Sequence, residues 1–141
     1  MKNKKNNILL IEDNEGDVEL ILEALNSHST RLEISVIDNG EDALLSLKCK
    51  DRILPDLILL DINLPKVDGR EVLHFVKNDE ELKKIPVVML TSSSLQKDIE
   101  YSYNNYANCY IVKPGNLADF INTIKSIETF WINCVTYLQK N

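Results

Sequence analysis

The chain has 141 residues, enough for one domain of ordinary size that buries a core without metals or disulfides. Sixteen basic and twenty-two acidic side chains give a net charge of −6, and because such a surface repels phosphates, direct nucleic-acid binding is not expected. No apolar run has the length of a signal core or a membrane helix, and the three cysteines lack C-x-x-C spacing, so we expect a cytoplasmic protein with reduced thiols and no membrane contact.

Five short apolar runs predict five strands. The basic opening "MKNKKNN" predicts a flexible tail over residues 1–7. The predicted strands that follow are "ILLI" at 8–11, "LEISVI" at 32–37, "LILL" at 57–60, "PVVML" at 86–90 and "CYIV" at 109–112.

The segments between and after these strands carry apolar residues at helical spacing. The first predicted helix follows a possible cap at Asn14 and the second follows the turn residues of "DNG". The apolar positions of the five helices are Val18, Ile21, Leu22 and Leu25; Ala43, Leu44 and Leu47; Val72, Phe75 and Val76; Leu95, Ile99 and Tyr103; and Leu117, Phe120, Ile121, Ile124 and Ile127. Alternating strands and helices predict an α/β, doubly wound, flavodoxin-like parallel sheet of order 2-1-3-4-5.

The last helix is predicted to be extended. No proline or glycine interrupts the chain from Asn116 to Gln139, and a helix of that length reaches about 36 Å against about 17–20 Å for a strand. Residues 129–141 would then overhang the sheet, and their large apolar groups would form a homodimer or kinase-docking surface. The alternative is that this end bends back onto its own domain. The residues concerned are Phe130, Trp131, Val135, Tyr137 and Leu138.

Polar residues follow the predicted strands at one edge of the sheet. They are Glu12 and Asp13 after the first strand, Asp61 after the third, Thr91 after the fourth and Lys113 after the fifth. Each alone has an ordinary explanation as a cap or a surface charge. Together, the carboxylates suit Mg²⁺, and the ammonium and hydroxyl suit a phosphoryl group, so we expect Asp61 to act as an in-line nucleophile that forms an aspartyl phosphate.

Five motifs then carry a resemblance to a known family. They are "IEDN" at 11–14, "LLDINLP" at 59–65, "DG" at 68–69, "LTSS" at 90–93 and "YIVKP" at 110–114. In this order they resemble the receiver domain of two-component response regulators over about residues 8–128. The resemblance implies that Asp61 accepts a phosphoryl group from a histidine kinase or phosphotransfer protein. It also implies that Asp13, Asp61 and the carbonyl of Asn63 ligate Mg²⁺, with Glu12 acting through water.

The same resemblance implies a switch. Thr91 and Lys113 would contact the phosphoryl oxygens, and the rotamer of Tyr110 would follow a shift of Thr91. The altered surface would comprise the fourth helix, fifth strand and fifth helix. The family also implies a cis bond between Lys113 and Pro114. Two departures are Glu12, in place of the more common aspartate, and Gly115, which leaves the local geometry of its turn open.

A narrower resemblance concerns partners. The segments "NLP", "ANCYIVKP" and "SIETFW" are similar to those of single-domain regulators paired with bacterial phytochrome-type histidine kinases. This implies a signalling protein whose only chemistry is self-catalysed phosphotransfer and autodephosphorylation.

Three alternatives stay open from the residues. A flavodoxin-type electron carrier that binds FMN shares the topology, although its first loop would have to cradle a phosphate and "EDNEGD" is acidic. A phosphatase with an aspartyl intermediate would need a second acid where Asn63 stands. A receiver-shaped binding module that is never phosphorylated is the third.

Overall fold

The five predicted strands form one parallel sheet. A computed structural model describes residues 6–26 and 32–138. Its strands are β1 (Asn6–Ile11), β2 (Leu32–Ile37), β3 (Leu57–Leu60), β4 (Val87–Thr91) and β5 (Cys109–Val112). Their order is β2-β1-β3-β4-β5, and every neighbouring pair is parallel, so the predicted order is confirmed.

Five helices alternate with the strands. They are α1 (Glu15–Asn26), α2 (Gly40–Lys48), α3 (Gly69–Asn78), α4 (Gln96–Asn104) and α5 (Leu117–Ile127), with a 3₁₀ turn at Leu82–Lys84. Side chains of Asn39, Asp68 and Asn116 accept backbone N–H bonds at the starts of α2, α3 and α5. The predicted cap of α1 is confirmed, since Asn14 Oδ1 accepts from Asp17 N at 2.9 Å. Within the described ranges no helix is long and apolar enough to cross a membrane.

The central strand β3 is covered on both faces. Ile58 and Leu60 pack into one apolar cluster with α2 and α3, and Leu57 and Leu59 pack into the other with α1 and α5. All four side chains are at most 1 % exposed. A strand buried on both faces is typical of a parallel sheet, which explains the unbroken run "LILL".

The first strand begins earlier than predicted. Asn6 and Asn7 belong to β1, so the last two residues of the predicted flexible tail lie in the sheet; residues 1–5 are outside the described part. The reason is local hydrogen bonding. Asn7 N donates to the side chain of Asp56 at 2.8 Å, and Asp56 N donates back to Asn7 O at 2.7 Å. These bonds offset the weak strand propensity of asparagine.

The predicted helix through Gln139 is wrong, because the helical segment ends at Cys134; residues 139–141 of the predicted extension lie outside the described part. The helical segment does extend beyond Ile127, but as a π-helical turn over Glu128–Cys134, and Val135 is already in an extended conformation. The chain end bends back, so that Trp131 and Tyr137 pack against the apolar cluster that includes side chains of α1 and α5, as the alternative interpretation supposed. The physical reason is burial of large apolar groups that a straight helix would leave in water.

The returning segment covers the amino edge of the sheet. Tyr137 Oη donates to Trp131 O at 2.5 Å, which fixes the turn. A cavity of about 440 Å³ lies there, lined by Leu54, Pro55 and Tyr137 among others, and is far from the carboxyl ends of the strands. Phe130 remains more than half exposed on the outer side of the turn.

Candidate functional site

The residues predicted to share one edge of the sheet do share it. Glu12 and Asp61 each lie one position beyond a strand, and strands β1 and β3 end in register, with Ile11 beside Leu60. Glu12, Asp13 and Asp61 each offer a carboxylate oxygen, and these oxygens lie within 4.8 Å of one another. The ends of β1 and β3 therefore bring three acids to one pocket.

Backbone hydrogen bonds continue the sheet through these residues. Glu12 N donates to Ile37 O at 3.0 Å, and Asp61 N donates to Ile11 O at 3.1 Å. Lys113 N donates to Thr91 O at 2.8 Å. The site residues are thus held by the ladder rather than by mobile loops, which gives their side chains defined positions.

Lys113 is the centre of the pocket. Its ammonium lies 2.6 Å from Glu12 Oε1, 2.8 Å from Asp17 Oδ2 and 3.3 Å from Asp61 Oδ2, and its side chain is only 6 % exposed. Burial alone would lower the pKa of Lys113, but hydrogen bonds to Asp17 and Glu12 and the charge of Asp61 raise it above its ordinary value. We therefore expect the Lys113 side chain to keep its positive charge at neutral pH.

Sequence reasoning missed Asp17. The residue lies in the first turn of α1, where acids are common for reasons of the helix dipole alone. The available clue was its place in the first turn of the helix that directly follows β1, because such a turn lies near the carboxyl end of that strand.

The acidic side of the pocket is only partly compensated. Burial raises the pKa of Glu12 to about 7, and the nearby charge of Asp61 adds to this, while the hydrogen bond from Lys113 opposes it. Lys113 pairs with the carboxylates of Glu12, Asp17 and Asp61, and Asp13 adds a fourth carboxylate beside Glu12 and Asp61, so acids outnumber the ammonium among the described residues of the pocket. This surplus of negative charge favours a cation at the pocket and disfavours the phosphate cradle that a flavin carrier needs.

The donor set fits a divalent cation. Carboxylate oxygens are hard ligands, which suit Mg²⁺ or Mn²⁺ better than softer metals. The predicted fourth ligand, Asn63, lies in the same loop, and its N–H donates to Asp61 Oδ1 at 3.3 Å. Asp13 is exposed, so the pocket opens to solvent on its side.

Thr91 and Tyr110 meet at Ser93. Thr91 is fully buried, and its Oγ1 accepts from Ser93 N at 3.4 Å. The Tyr110 hydroxyl donates to Ser93 O at 2.8 Å, and the ring packs against the cluster under α3. The two residues predicted to switch together therefore contact the same residue of the β4–α4 loop.

A buried acid in α4 holds that loop. Asp98 is 4 % exposed and accepts from Ser93 Oγ at 2.6 Å and from Arg70 Nη1, on α3, at 2.7 Å. Sequence reasoning missed this network because an acid in the first turn of a helix is usually solvated. Nothing in the sequence shows that Arg70 and Asp98 approach each other.

The turn after Lys113 differs from the expectation. Among the described residues there is no cis peptide bond, so the implied cis bond before Pro114 is wrong; trans is the lower-energy isomer by about 0.5–1 kcal/mol. Gly115 has no positive φ, and a Cβ built there meets no atom within 4 Å. The turn therefore does not require glycine.

Comparisons with known proteins agree with this geometry. The sequence model of one protein family, the response regulator receiver domain, matches residues 8–125. Response regulator Rcp1 of Synechocystis sp. (strain PCC 6803) is 41 % identical over 133 residues, which cover 92 % of this chain and 90 % of that protein.

Two solved structures are also similar. The Mn²⁺-bound form of response regulator Rcp1 superposes with a TM-score of 0.90 at 41 % identity, covering 95 % of this chain and 99 % of the other. The phosphorylated cyanobacterial phytochrome response regulator RcpA gives a TM-score of 0.90 at 42 % identity, covering 96 % and 99 %.

Proposed function

The chain belongs to the response regulator receiver domain family, and on that premise we propose that Asp61 is its phosphoryl acceptor. It is a response regulator of two-component signalling. The observation that carries the proposal is the position of Asp61, directly after a strand that is buried on both faces and beside both Lys113 and two further acids. The phosphoryl donor is a histidine kinase or a phosphotransfer protein.

The chemistry follows from the pocket's own groups. A carboxylate oxygen of Asp61 attacks phosphorus, an O–P bond forms, and the N–P bond of the phosphohistidine breaks with its electron pair leaving on the imidazole. Lys113 neutralises charge on the phosphoryl oxygens, and the Thr91 hydroxyl donates to one of them. The same groups support autodephosphorylation, which completes the catalytic repertoire we assign.

The metal assigned to the pocket is Mg²⁺. Asp13, Asp61 and the carbonyl of Asn63 would hold it, with Glu12 acting through water. When bound, it supplies positive charge to an otherwise acidic pocket and to the phosphoryl oxygens. Support comes from the three converging carboxylates and from the excess of acids over Lys113.

The output surface is the face formed by α4, β5 and α5. Phosphorylation favours one of two conformations of Thr91 and Tyr110 and thereby one conformation of the β4–α4 loop. Several large apolar side chains are exposed on or beside this face, which supports docking of a protein partner or of a second copy in a homodimer. They are Leu95, Tyr103, Tyr106, Val112, Leu117 and Phe130.

The kinase partner we infer is phytochrome-like. RcpA, to which the chain is similar, is a phytochrome response regulator by its description. We place the protein in the cytoplasm, which agrees with its three free cysteines, and assign it no nucleic-acid or membrane partner.

Labelling with acetyl phosphate tests the acceptor. In the presence of Mg²⁺ the parent protein should take an acid-stable, hydroxylamine-sensitive phosphoryl label, and Asp61→Asn should take none. Asp51→Asn, which removes the same charge from an exposed position, is the matched control and should label like the parent. A label that persists in Asp61→Asn, or a parent that takes none, contradicts the proposal and favours the unphosphorylated binding module.

A further inference from the structure

The three N–H donors of Lys113 have three different acceptors. Two bonds are short, at 2.6 Å to Glu12 and 2.8 Å to Asp17, whereas the distance to Asp61 is 3.3 Å. An ammonium has only three donors, so this set leaves none unassigned. The weakest of the three contacts is the one that faces the phosphoryl acceptor.

The acceptors of the two short bonds are side chains that are both tied to Asn14. Asn14 N donates to Glu12 Oε2 at 3.1 Å, and Asn14 Oδ1 accepts from Asp17 N at 2.9 Å. Glu12 and Asp17 are therefore linked through the helix cap of α1. The link fixes the separation of the two carboxylates that grip the ammonium.

We propose that Asp17 is a positioning residue for phosphoryl acceptance: together with Glu12 it anchors the Lys113 ammonium so that the third N–H points at Asp61. This N–H then donates a hydrogen bond to the incoming phosphoryl oxygen in place of Asp61. This inference rests on the proposed function. With acetyl phosphate as donor, the bond from an Asp61 oxygen to phosphorus forms, the phosphorus–oxygen bond of the donor breaks, and acetate leaves with the electron pair. Lys113 keeps all its protons, since Asp17 and Glu12 stay in place.

A purely electrostatic role for Asp17 makes the opposite prediction. Its negative charge repels an anionic donor, so removing that charge would speed labelling if orientation of Lys113 were unimportant. If orientation matters, loss of one anchor slows labelling, because a misplacement of about 1 Å in a reacting site can reduce a rate about 100-fold. The sign of the change therefore separates the two roles.

The first experiment compares initial labelling rates at saturating Mg²⁺. We expect Asp17→Asn to be slower than the parent by about tenfold or more. Glu19→Gln removes the same charge from an exposed position on α1 and should stay within about twofold of the parent. Asp17→Glu, which keeps the charge but shifts it by one methylene, should show an intermediate loss, and it serves in place of Asp17→Asn if that variant does not fold. An Asp17→Asn rate equal to or above the parent's, or an equal loss in Glu19→Gln, overturns the inference.

The second experiment needs no phosphorylation. A buried ammonium held by three acceptors exchanges its protons slowly and gives a ¹H–¹⁵N signal, assignable by its absence in Lys113→Arg. We expect this signal in the parent and in Glu19→Gln, and faster exchange or loss in Asp17→Asn; an unchanged signal overturns the anchoring role. A parent that takes no label contradicts the proposed function, and the ammonium signal then decides separately whether Asp17 holds Lys113.

Discussion

Replacing Gly69 with alanine should damage both stability and phosphoryl acceptance. Gly69 begins α3, and a Cβ at this position would lie 2.0 Å from the carbonyl oxygen of Asp61 and 2.8 Å from the Cα of Ile62. Both neighbours are backbone atoms, so no side chain can rotate away. Relief of the clash requires a shift of about 1 Å or more in the backbone of Asp61 and Ile62 or in the start of α3.

The magnitude follows from that shift. Overpacking at a rigid site costs about 1–3 kcal/mol, and a domain of this size loses about 2–4 °C in Tm for each kcal/mol. The Gly69 N–H also donates to Ile62 O at 2.8 Å, and the displaced backbone would strain this bond. Because this shift displaces the backbone of Asp61 itself, the rate of labelling by acetyl phosphate should fall by up to about 100-fold.

Thermal unfolding followed by circular dichroism, together with labelling rates below the transition, measures both effects. Gly115→Ala is the matched control, because a Cβ there meets no atom within 4 Å and φ is not positive. That variant should be unchanged or more stable by up to about 1 kcal/mol. If Gly69→Ala retained the parent's Tm and labelling rate, the close packing of α3 on the acceptor loop would be refuted.

Three further predictions concern other parts of the molecule. Truncation of a fully buried tryptophan costs ~3–5 kcal/mol, and Trp131→Ala should lower the free energy of unfolding in urea by half of that, because Trp131 is only partly buried. Truncation of the exposed Phe130 should leave the free energy of unfolding nearly unchanged and should reduce any dimer seen in sedimentation. Equal losses of stability in the two variants would contradict the packing of the chain end. Asp98→Ala leaves Ser93 and an arginine without their shared acceptor and should cost about 1–3 kcal/mol in urea unfolding; no loss would show that the bonds are not formed in solution. Burial raises the pKa of the Cys109 thiol, so at mildly alkaline pH the alkylation of Cys109 should be slower than that of the exposed Cys49. The rate for Cys109 should still rise as the pH increases. Equal alkylation rates of the two thiols across that pH range would contradict the burial of Cys109.

The strand order and the meeting of site residues could be predicted from the sequence for a simple reason. Apolar runs such as "LILL" identify strands buried on both faces, and parallel strands present their carboxyl ends at one edge. A polar residue that directly follows a strand of this sheet must then lie at that edge, as Asp61 does after the buried β3 and Lys113 does after the edge strand β5. The roles of Asn63, Thr91 and Tyr110 in phosphorylation stay predictions.

What could not be predicted depends on how separate elements approach each other. Asp98 pairs with Arg70 only because α3 and α4 pack side by side, and neither helix carries a local pattern that shows it. The end of the last helix is a similar case. Helical spacing continues past Ile127, and the bend is decided by tertiary burial of Trp131 and Tyr137, which local propensity does not contain.

The burial of β3 has a consequence for how the signal spreads. This strand pairs on both sides and is sealed above and below, so its amide protons, such as those of Leu59 and Leu60, should exchange with solvent only when the whole domain unfolds. Asp61 is therefore attached to the part of the molecule that opens least. We therefore expect the strand that precedes Asp61 to stay closed if this carboxylate is phosphorylated as proposed. A change of shape that another protein senses should then arise in the neighbouring loops and helices rather than in the strand itself.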